Sequence, residues 1–128
     1  MIIVIPAYQP DEELISVVKS LKCYSVLVVD DGSGRKYDKV FRTVEKCGAK
    51  VIRYPENRGK GYALKTAFHH ILDSSFSTDW IITADADGQH KTVDIEKVIE
   101  KTKTTVNNLI IGSRQFTGYV PLRSKFGN

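Results

Sequence analysis

Short runs of apolar residues alternate with segments of helical periodicity along most of the chain. The apolar runs are continuous rather than interleaved with polar residues, which is typical of strands buried on both faces of a sheet. We expect five such strands, at residues 2–5, 26–29, 50–54, 80–84 and 109–111. Between them, apolar residues recur every three or four positions and predict four amphipathic helices. The apolar faces of these helices lie at residues 14–21, 37–44, 63–72 and 95–99.

Strands that alternate with helices across short loops predict βαβ units, a mostly parallel sheet and right-handed crossovers. The expected fold class is therefore α/β, a three-layer sandwich with Rossmann-like units. A length of 128 residues fits one domain, and no linker, repeat or low-complexity segment interrupts the pattern. Periodicity is lost after residue 112, in the stretch 113–128.

Composition excludes several other classes of protein. Hydrophobic residues make up 41% and charged residues 27%, which rules out wholesale disorder, collagen and a disulfide scaffold. Cys23 and Cys47 are expected to be free thiols in a reducing compartment. The net charge is +4, but the basic residues are scattered among acids, so we expect no nucleic-acid partner. Without a membrane-length apolar run or a signal-peptide pattern, the chain is expected in the cytoplasm.

Polar and glycine-rich stretches follow the first four predicted strands, at residues 7–11, 30–34, 55–61 and 85–90. In an open parallel sheet, ligands bind outside the carboxyl ends of the strands. Four such loops at one edge therefore predict a single ligand site.

The most informative of these loops carries Asp85 and Asp87. Residues i and i+2 of an extended segment point the same way, which sets two carboxylates roughly 7 Å apart along the chain. A hard divalent cation would relieve their repulsion, so Mg²⁺ or Mn²⁺ suits the site, with a diphosphate as its companion. Gln89 offers a neutral oxygen two residues further on. The alternative is that both acids are turn formers before Gly88.

Two other loops carry candidate chemistry. Asp30 and Asp31 can accept hydrogen bonds from a base or ribose, or they can cap a turn. The stretch 57–61 places glycines and two cations at a helix start, where an anion can bind, although its spacing is not that of a Walker motif. Its alternative is a flexible basic loop. His90, just after the acidic pair, is a further candidate.

Five segments, taken in order, resemble the family-2 glycosyltransferases. They are residues 3–8 (IVIPAY), 28–33 (VVDDGS), 57–61 (NRGKG), 84–90 (ADADGQH) and 111–114 (IGSR). Their order and spacing agree with the family over essentially the whole chain. The branch to which the chain is most similar is the polyprenyl-phosphate, or dolichol-phosphate, hexosyltransferases.

This resemblance implies a GT-A fold and transfer of a hexose from a nucleotide-diphosphate sugar, UDP- or GDP-linked. The acceptor is expected to be a lipid phosphate, such as a polyprenyl phosphate, or a glycan, in cell-envelope glycan synthesis of bacteria. Mg²⁺ or Mn²⁺ is the implied cofactor. The metal and nearby cations would neutralise the charge that grows on the leaving nucleoside diphosphate.

The resemblance and the loop pattern together assign site residues. Those assigned to the nucleotide are Pro6, Ala7, Tyr8, Asp30, Asp31, Lys60, Ala86 and Arg114. Those assigned to the metal are Asp85, Asp87 and Gln89. Within the first set, the resemblance implies that Asp31 reads the base and that Arg114 meets the donor phosphates.

The chain also departs from the family. Gln9 and Pro10 stand where the family has Asn-Glu, so Asp11 or Glu12 is the candidate substitute for that glutamate. Family members continue beyond the point where this chain ends. We therefore expect residues 1–128 to form the nucleotide-sugar-binding part, with the acceptor-side part absent and no catalytic base assigned. Contact with the inner face of a membrane through the missing part stays open, as does self-association.

Two other interpretations stay open. The chain can be a non-catalytic nucleotide-sugar-binding module, or an inactive fragment of such an enzyme. A nucleotidyltransferase that makes nucleotide sugars fits less well, because that class carries a glycine-rich loop after its first strand and residues 7–11 contain no glycine.

Overall fold

The structure, a computed structural model, describes residues 1–74, 78–88, 92–105 and 109–110. Strands and helices alternate in this part of the chain. In order, they are β1 (Ile2–Ala7), α1 (Glu12–Ser20), β2 (Ser25–Asp31), a 3-10 turn (Arg35–Tyr37), α2 (Asp38–Lys46), β3 (Lys50–Tyr54), α3 (Lys60–Asp73), β4 (Ile81–Thr83) and α4 (Thr92–Thr102). The strands form one parallel sheet in the order β3-β2-β1-β4. The predicted α/β class with a parallel sheet is confirmed.

The core lies on both faces of β1 and β2, because these strands are apolar at nearly every position. On one face, Ile3, Ile5 and Val28 pack in a cluster with the apolar sides of α1, α2 and α4. On the other face, Val4 and Val29 pack against α3. Helices therefore cover both faces, and the predicted three-layer arrangement is confirmed.

The strands differ from their predicted bounds where the site begins. β2 continues through Asp30 and Asp31, which were predicted to lie in the loop, because these residues pair with Arg53 and Tyr54 of β3. β4 is shorter than predicted and spans Ile81–Thr83. The acidic pair of β2 is thus held by the sheet itself.

The predicted fifth strand is wrong for Leu109 and Ile110, which lie in no strand. Leu109 is 85% exposed, whereas a core strand would bury it. Within the described ranges, the outer edge of β4 has no strand paired with it, so Leu109 and Ile110 do not extend the sheet there. Ile111 lies outside the described residues.

Two simpler expectations can be compared directly with the structure. Cys23 and Cys47 are free thiols. Among the described helices, none has the length and apolar character that crossing a membrane requires.

Candidate functional site

The carboxyl ends of all four strands lie along one edge of the sheet, since the strands are parallel. The register sets Ala7 of β1 beside Asp30 of β2, and Asp31 of β2 beside Tyr54 of β3. β4 joins the same edge, where the Ala84 amide donates to a carbonyl of β1 at 3.0 Å. The polar stretches after the strands are therefore neighbours, as a single site requires.

Most of the predicted site residues fall in the described part of the chain. Lys60 is the first residue of α3, and those found at the carboxyl ends of the strands or in the loops that follow are Pro6, Ala7, Tyr8, Asp30, Asp31, Asp85, Ala86 and Asp87. Gln89, His90 and Arg114 lie outside the described residues.

Asp30 holds the turn that follows β2. Its Oδ1 accepts a hydrogen bond from the Ser33 amide at 2.8 Å, and its Oδ2 accepts one from Arg53 Nε at 2.8 Å. Arg53 also donates to Asp38 Oδ1 at 2.7 Å. The Ser33 hydroxyl oxygen in turn accepts from the Gln9 amide at 2.9 Å, which ties the loop after β1 to the turn. Since only 2% of Asp30 is exposed, its carboxylate acts mainly within the fold.

Asp31 holds a different loop, residues 55–59, which leads into α3. Its Oδ1 accepts from the Tyr54 hydroxyl at 2.6 Å and from the Arg58 amide at 2.8 Å. Its Oδ2 accepts from the Gly59 amide at 2.9 Å. Asp31 is 3% exposed, and its carboxylate has three donors within the described residues. It therefore fixes the loop at the point where the chain enters α3.

Tyr54 is a site residue that the sequence analysis missed. Burial, followed by the hydrogen bond and charge of Asp31, raises the pKa of Tyr54 above its usual range. The phenol thus keeps its proton near neutral pH and donates to Asp31. Its ring meets Tyr62 edge-on at a centroid distance of 5.4 Å. The sequence shows Tyr54 only as the last residue of the predicted third strand, and its position beside Asp31 comes from the pairing of β2 with β3.

Gly32 explains why the turn after β2 carries a glycine. Its φ is +69°, and a Cβ there would lie 2.3 Å from the Asn57 nitrogen and 2.3 Å from the Glu56 carbonyl carbon. No side chain fits at these distances, so the turn and the loop 55–59 touch backbone to backbone. The hydrogen bonds of Asp31 and the close approach at Gly32 therefore hold the turn and the loop 55–59 together.

The acidic loop after β4 meets the start of α3. Lys60, the first residue of α3, donates from Nζ to Asp85 Oδ1 at 2.5 Å. The Lys60 side chain is 61% exposed and that of Asp85 is 35% exposed, so solvent reaches both groups. Asp87 lies two residues further along the same loop, and Ala86 between them packs against the core. A cation and a carboxylate thus lie together where the loops after β3 and β4 converge.

The oxygen donors of this loop suit a hard cation whose remaining coordination positions are filled by a bound ligand. In the described ranges, no group of three or more His, Cys, Asp or Glu side chains is arranged to hold a metal ion. Asp85 and Asp87 supply two carboxylates, and Mg²⁺ commonly binds through one or two carboxylates together with water and substrate phosphates. The pair therefore suits an ion that shares its ligands with a diphosphate. Gln89, the third predicted ligand, is outside the described residues.

The loop after β1 offers an aromatic surface. Ala7 is buried, whereas Tyr8 is 51% exposed and accepts a hydrogen bond at its hydroxyl from Gln9 Nε2 at 3.1 Å. Gln9 has a φ of +49°, a left-handed conformation that turns the chain sharply after β1. Of the residues predicted in this loop, Tyr8 presents the largest surface to a ligand.

Glu13 is a second residue that the sequence analysis missed. Its Oε2 lies 3.0 Å from the position that a Cβ would take at Gly88, so the first turn of α1 reaches the acidic loop. Asp11, one predicted substitute for the glutamate of the family motif, instead caps α1 by accepting from the Glu13 amide at 2.9 Å. Among the acids at residues 11–13, Glu13 is the one that the structure shows near the loop after β4.

Comparison with known proteins identifies one family and several relatives. The model of the family described as glycosyl transferase family 2 matches residues 2–126. An uncharacterized protein of Methanocaldococcus jannaschii is 32% identical, an alignment that covers 100% of this chain and 57% of that protein. A UDP-N-acetylglucosamine–dolichyl-phosphate N-acetylglucosaminyltransferase of Methanococcus voltae is 28% identical, over 98% of this chain and 58% of that protein. The human dolichyl-phosphate beta-glucosyltransferase is 40% identical over 59% of this chain and 23% of its own length. The chain spans a little over half the length of these two archaeal relatives.

Proposed function

The chain belongs to glycosyl transferase family 2, and from this membership we propose that it binds the nucleoside diphosphate of a sugar donor at the carboxyl edge of its sheet. In this proposal, residues 1–128 are the donor-binding part of an enzyme that transfers a hexose from a UDP- or GDP-sugar. The acceptor is a polyprenyl phosphate, and the reaction takes place at the inner face of a membrane during cell-envelope glycan synthesis. Relatives named as dolichyl-phosphate glycosyltransferases support the lipid-phosphate acceptor.

The observation that carries the proposal is the contact between Lys60 and Asp85. It places an ammonium group and a carboxylate 2.5 Å apart at the amino end of α3. A diphosphate needs both kinds of group nearby, the carboxylate to hold its metal ion and the cation to offset its own charge. Backbone amides at the start of a helix add further positive potential for an anion.

The residues then divide the work of binding the donor. Asp85 and Asp87, with Gln89, hold Mg²⁺ or Mn²⁺, which when bound offsets charge on the leaving nucleoside diphosphate. Lys60 exchanges its bond to Asp85 for one to a phosphate oxygen, and Arg114 adds a second cation. These groups orient the diphosphate.

The nucleoside lies further along the same edge. Pro6, Ala7 and Tyr8 border it, with the exposed ring of Tyr8 as a stacking surface. Asp31 reads the base. Asp30 acts through the turn that it holds, because both of its oxygens accept hydrogen bonds within the fold.

Calorimetry with UDP and GDP tests the proposal. With Mn²⁺ present, at least one of the two nucleotides should bind, and a chelator should weaken that binding about tenfold or more because the charge repulsion between diphosphate and carboxylates returns. Asp87→Asn should remove most of this metal dependence. Asp73→Asn, at the opposite end of α3, is the matched control and should leave it unchanged. Equal affinity with Mn²⁺ and with chelator would exclude the proposed metal site.

A further inference from the structure

We propose that Ser33 is a positioning residue for the donor site, because it holds Gln9 in a left-handed conformation and thereby fixes the ring of Tyr8. The inference rests on the proposed function, in which the Tyr8 ring is a stacking surface for the nucleoside. It starts from the backbone of the short connection between β1 and α1, residues 8–11.

The backbone of Gln9 is unusual for a residue that carries a side chain. Its φ is +49°, a conformation that is unfavourable for any residue with a Cβ. Such residues cluster at ligand sites, where the surrounding structure holds them in place. In the described ranges, all other residues with a positive φ are glycines, namely Gly32, Gly34, Gly48, Gly59 and Gly88. Position 9 therefore carries a side chain at an energetic cost that a glycine would avoid.

Ser33 supplies the contact that holds this backbone. Its hydroxyl oxygen accepts from the Gln9 amide at 2.9 Å, and Ser33 is only 7% exposed. The Ser33 amide in turn donates to Asp30 Oδ1 at 2.8 Å, in a buried hydrogen bond. The pairing of Ala7 with Asp30 sets the turn after β2 directly beside the loop after β1. Gln9 is therefore tied to the end of a buried central strand.

The side chain of Gln9 then acts on Tyr8. Its Nε2 donates to the Tyr8 hydroxyl at 3.1 Å, so the side chain restrained at its backbone by Ser33 also contacts the ring. The ring is half-exposed, and a ligand that stacks on a mobile ring must first order it. Ordering a side chain on binding lowers affinity. A ring that is already held should bind the nucleoside more tightly, and Ser33 would add to this affinity without touching the ligand.

The experiment is calorimetry of the full 128-residue chain with UDP and with GDP in Mn²⁺, compared for the nucleotide that the unsubstituted chain binds more tightly. Ser33→Ala should raise the dissociation constant about threefold or more, because the ring is no longer held. Gln9→Gly should raise it to a similar extent. Its midpoint of urea unfolding should nevertheless not fall, since glycine adopts the left-handed backbone freely. A purely structural role for Gln9 would leave affinity unchanged when stability is kept.

A double-mutant cycle tests whether Ser33 acts through Tyr8. In a Tyr8→Leu chain, Ser33→Ala should change the dissociation constant by less than about twofold, because the ring that it positions is gone. A larger change would show that Ser33 acts through the turn after β2 instead, and it would overturn the inference. If Ser33→Ala does not fold, or Tyr8→Leu binds too weakly to measure, the affinity of Gln9→Gly decides.

Ser74→Ala is the matched control. Ser74 is half-buried, lies at the opposite end of α3 from the site, and donates from its hydroxyl to the Ile71 carbonyl at 3.1 Å. This variant should leave the dissociation constant unchanged. Unchanged affinity in folded Ser33→Ala and Gln9→Gly chains would overturn the inference while leaving donor binding intact. Absence of binding of both nucleotides by the unsubstituted chain would overturn the proposed function and this inference with it.

Discussion

At the scale of single residues, the two adjacent acids of β2 have separate structural partners. Asp30 accepts from Arg53, whereas Asp31 accepts from Tyr54 and the loop that follows β3. Both acids are almost fully buried. A buried carboxylate is costly unless it is paired, so each acid depends on the donors that face it.

Arg53→Ala should destabilise the chain by about 1–3 kcal/mol. The change leaves Asp30 buried with one of its two described donors removed, and the loss is moderated because the Arg53 side chain is 39% exposed. Urea unfolding followed by circular dichroism measures this free energy. Arg42→Ala, on the exposed side of α2, removes the same side chain without a buried partner and should change stability by less than about 0.5 kcal/mol. Equal losses in the two variants would show that the Arg53–Asp30 pair contributes nothing specific.

The sequence identified these acids as candidates but did not identify their partners. The motif around Asp30 and Asp31 is visible in the sequence, since acids at the end of a buried apolar run are unusual. Arg53 and Tyr54 carry no such signal, because they look like ordinary end residues of a strand. Their role depends on the register between β2 and β3, which sets Asp30 beside Arg53 and Asp31 beside Tyr54. Register is a property of the paired sheet and is not readable from one strand.

At the scale of elements, the turn after β2 and the loop 55–59 act as one unit. They share the Asp31 hydrogen bonds and the backbone contact at Gly32. The sequence predicts both the turn and the loop and their separation along the chain, but it does not predict that they touch. A glycine in the sequence does not show why it is needed. The reason can be a positive φ alone, or a positive φ together with another backbone segment that lies too close for a side chain.

Gly32→Ala should cost about 2–4 kcal/mol, from a left-handed backbone and from overlap with the backbone of residues 56–57. Gly48→Ala provides the control, because Gly48 has a φ of +97° with nothing within 4 Å of its Cβ position. That variant carries only the conformational cost, about 1–2 kcal/mol. Thermal and urea unfolding of both variants give the difference. A Gly32→Ala chain no less stable than the Gly48→Ala chain would contradict the close contact.

The predicted strands are confirmed where an apolar run is both buried and paired with a neighbouring strand. The four helices and the strands β1 to β4 follow from apolar runs that the fold buries between layers. Residues 109–110 show the limit, since an apolar run there lies outside the described sheet and Leu109 is exposed. Apolar composition indicates a tendency to be buried, but a strand also needs a partner edge.

At the scale of the whole molecule, the strand order places β1 and β2 at the centre, and this positions the proposed site. Both strands are flanked by neighbours, so the loops at their carboxyl ends rest on the best-buried part of the sheet. β3 and β4 lie at the outer positions of the described sheet and contribute the loops that carry Lys60 and Asp85. The groups proposed for the base therefore lie on the central strands, and those for the diphosphate lie where an outer loop meets α3.

The described surface also includes large exposed apolar side chains. Leu109 is 85% exposed, Leu72 78% and Val93 58%. Single exposed apolar residues are ordinary, but a contiguous apolar patch promotes association. Self-association, which the sequence analysis leaves open, is measured on the 128-residue polypeptide by sedimentation velocity at several concentrations.

A polypeptide of these 128 residues should bind its donor nucleotide and yet transfer sugar poorly. A polyprenyl phosphate is already an anion near neutral pH, so its attack on the sugar needs no general base. It must still be held in line with the sugar carbon, and such positioning can be worth roughly 7–11 kcal/mol. In the proposed function these residues bind the donor, and the chain spans a little over half the length of the archaeal relatives. If the polypeptide lacks about 4 kcal/mol of this positioning energy, sugar transfer is about a thousandfold slower.

The measurement compares transfer of labelled hexose to a polyprenyl phosphate in detergent, by this polypeptide and by a full-length relative at equal concentration. Nucleotide binding is measured on the same preparation, so a slow rate is interpreted only when the donor site is intact. A reaction without acceptor controls for hydrolysis of the donor. Transfer at a rate near that of the full-length relative would show that these residues position the acceptor as well as the donor, and the division of labour proposed here would be wrong.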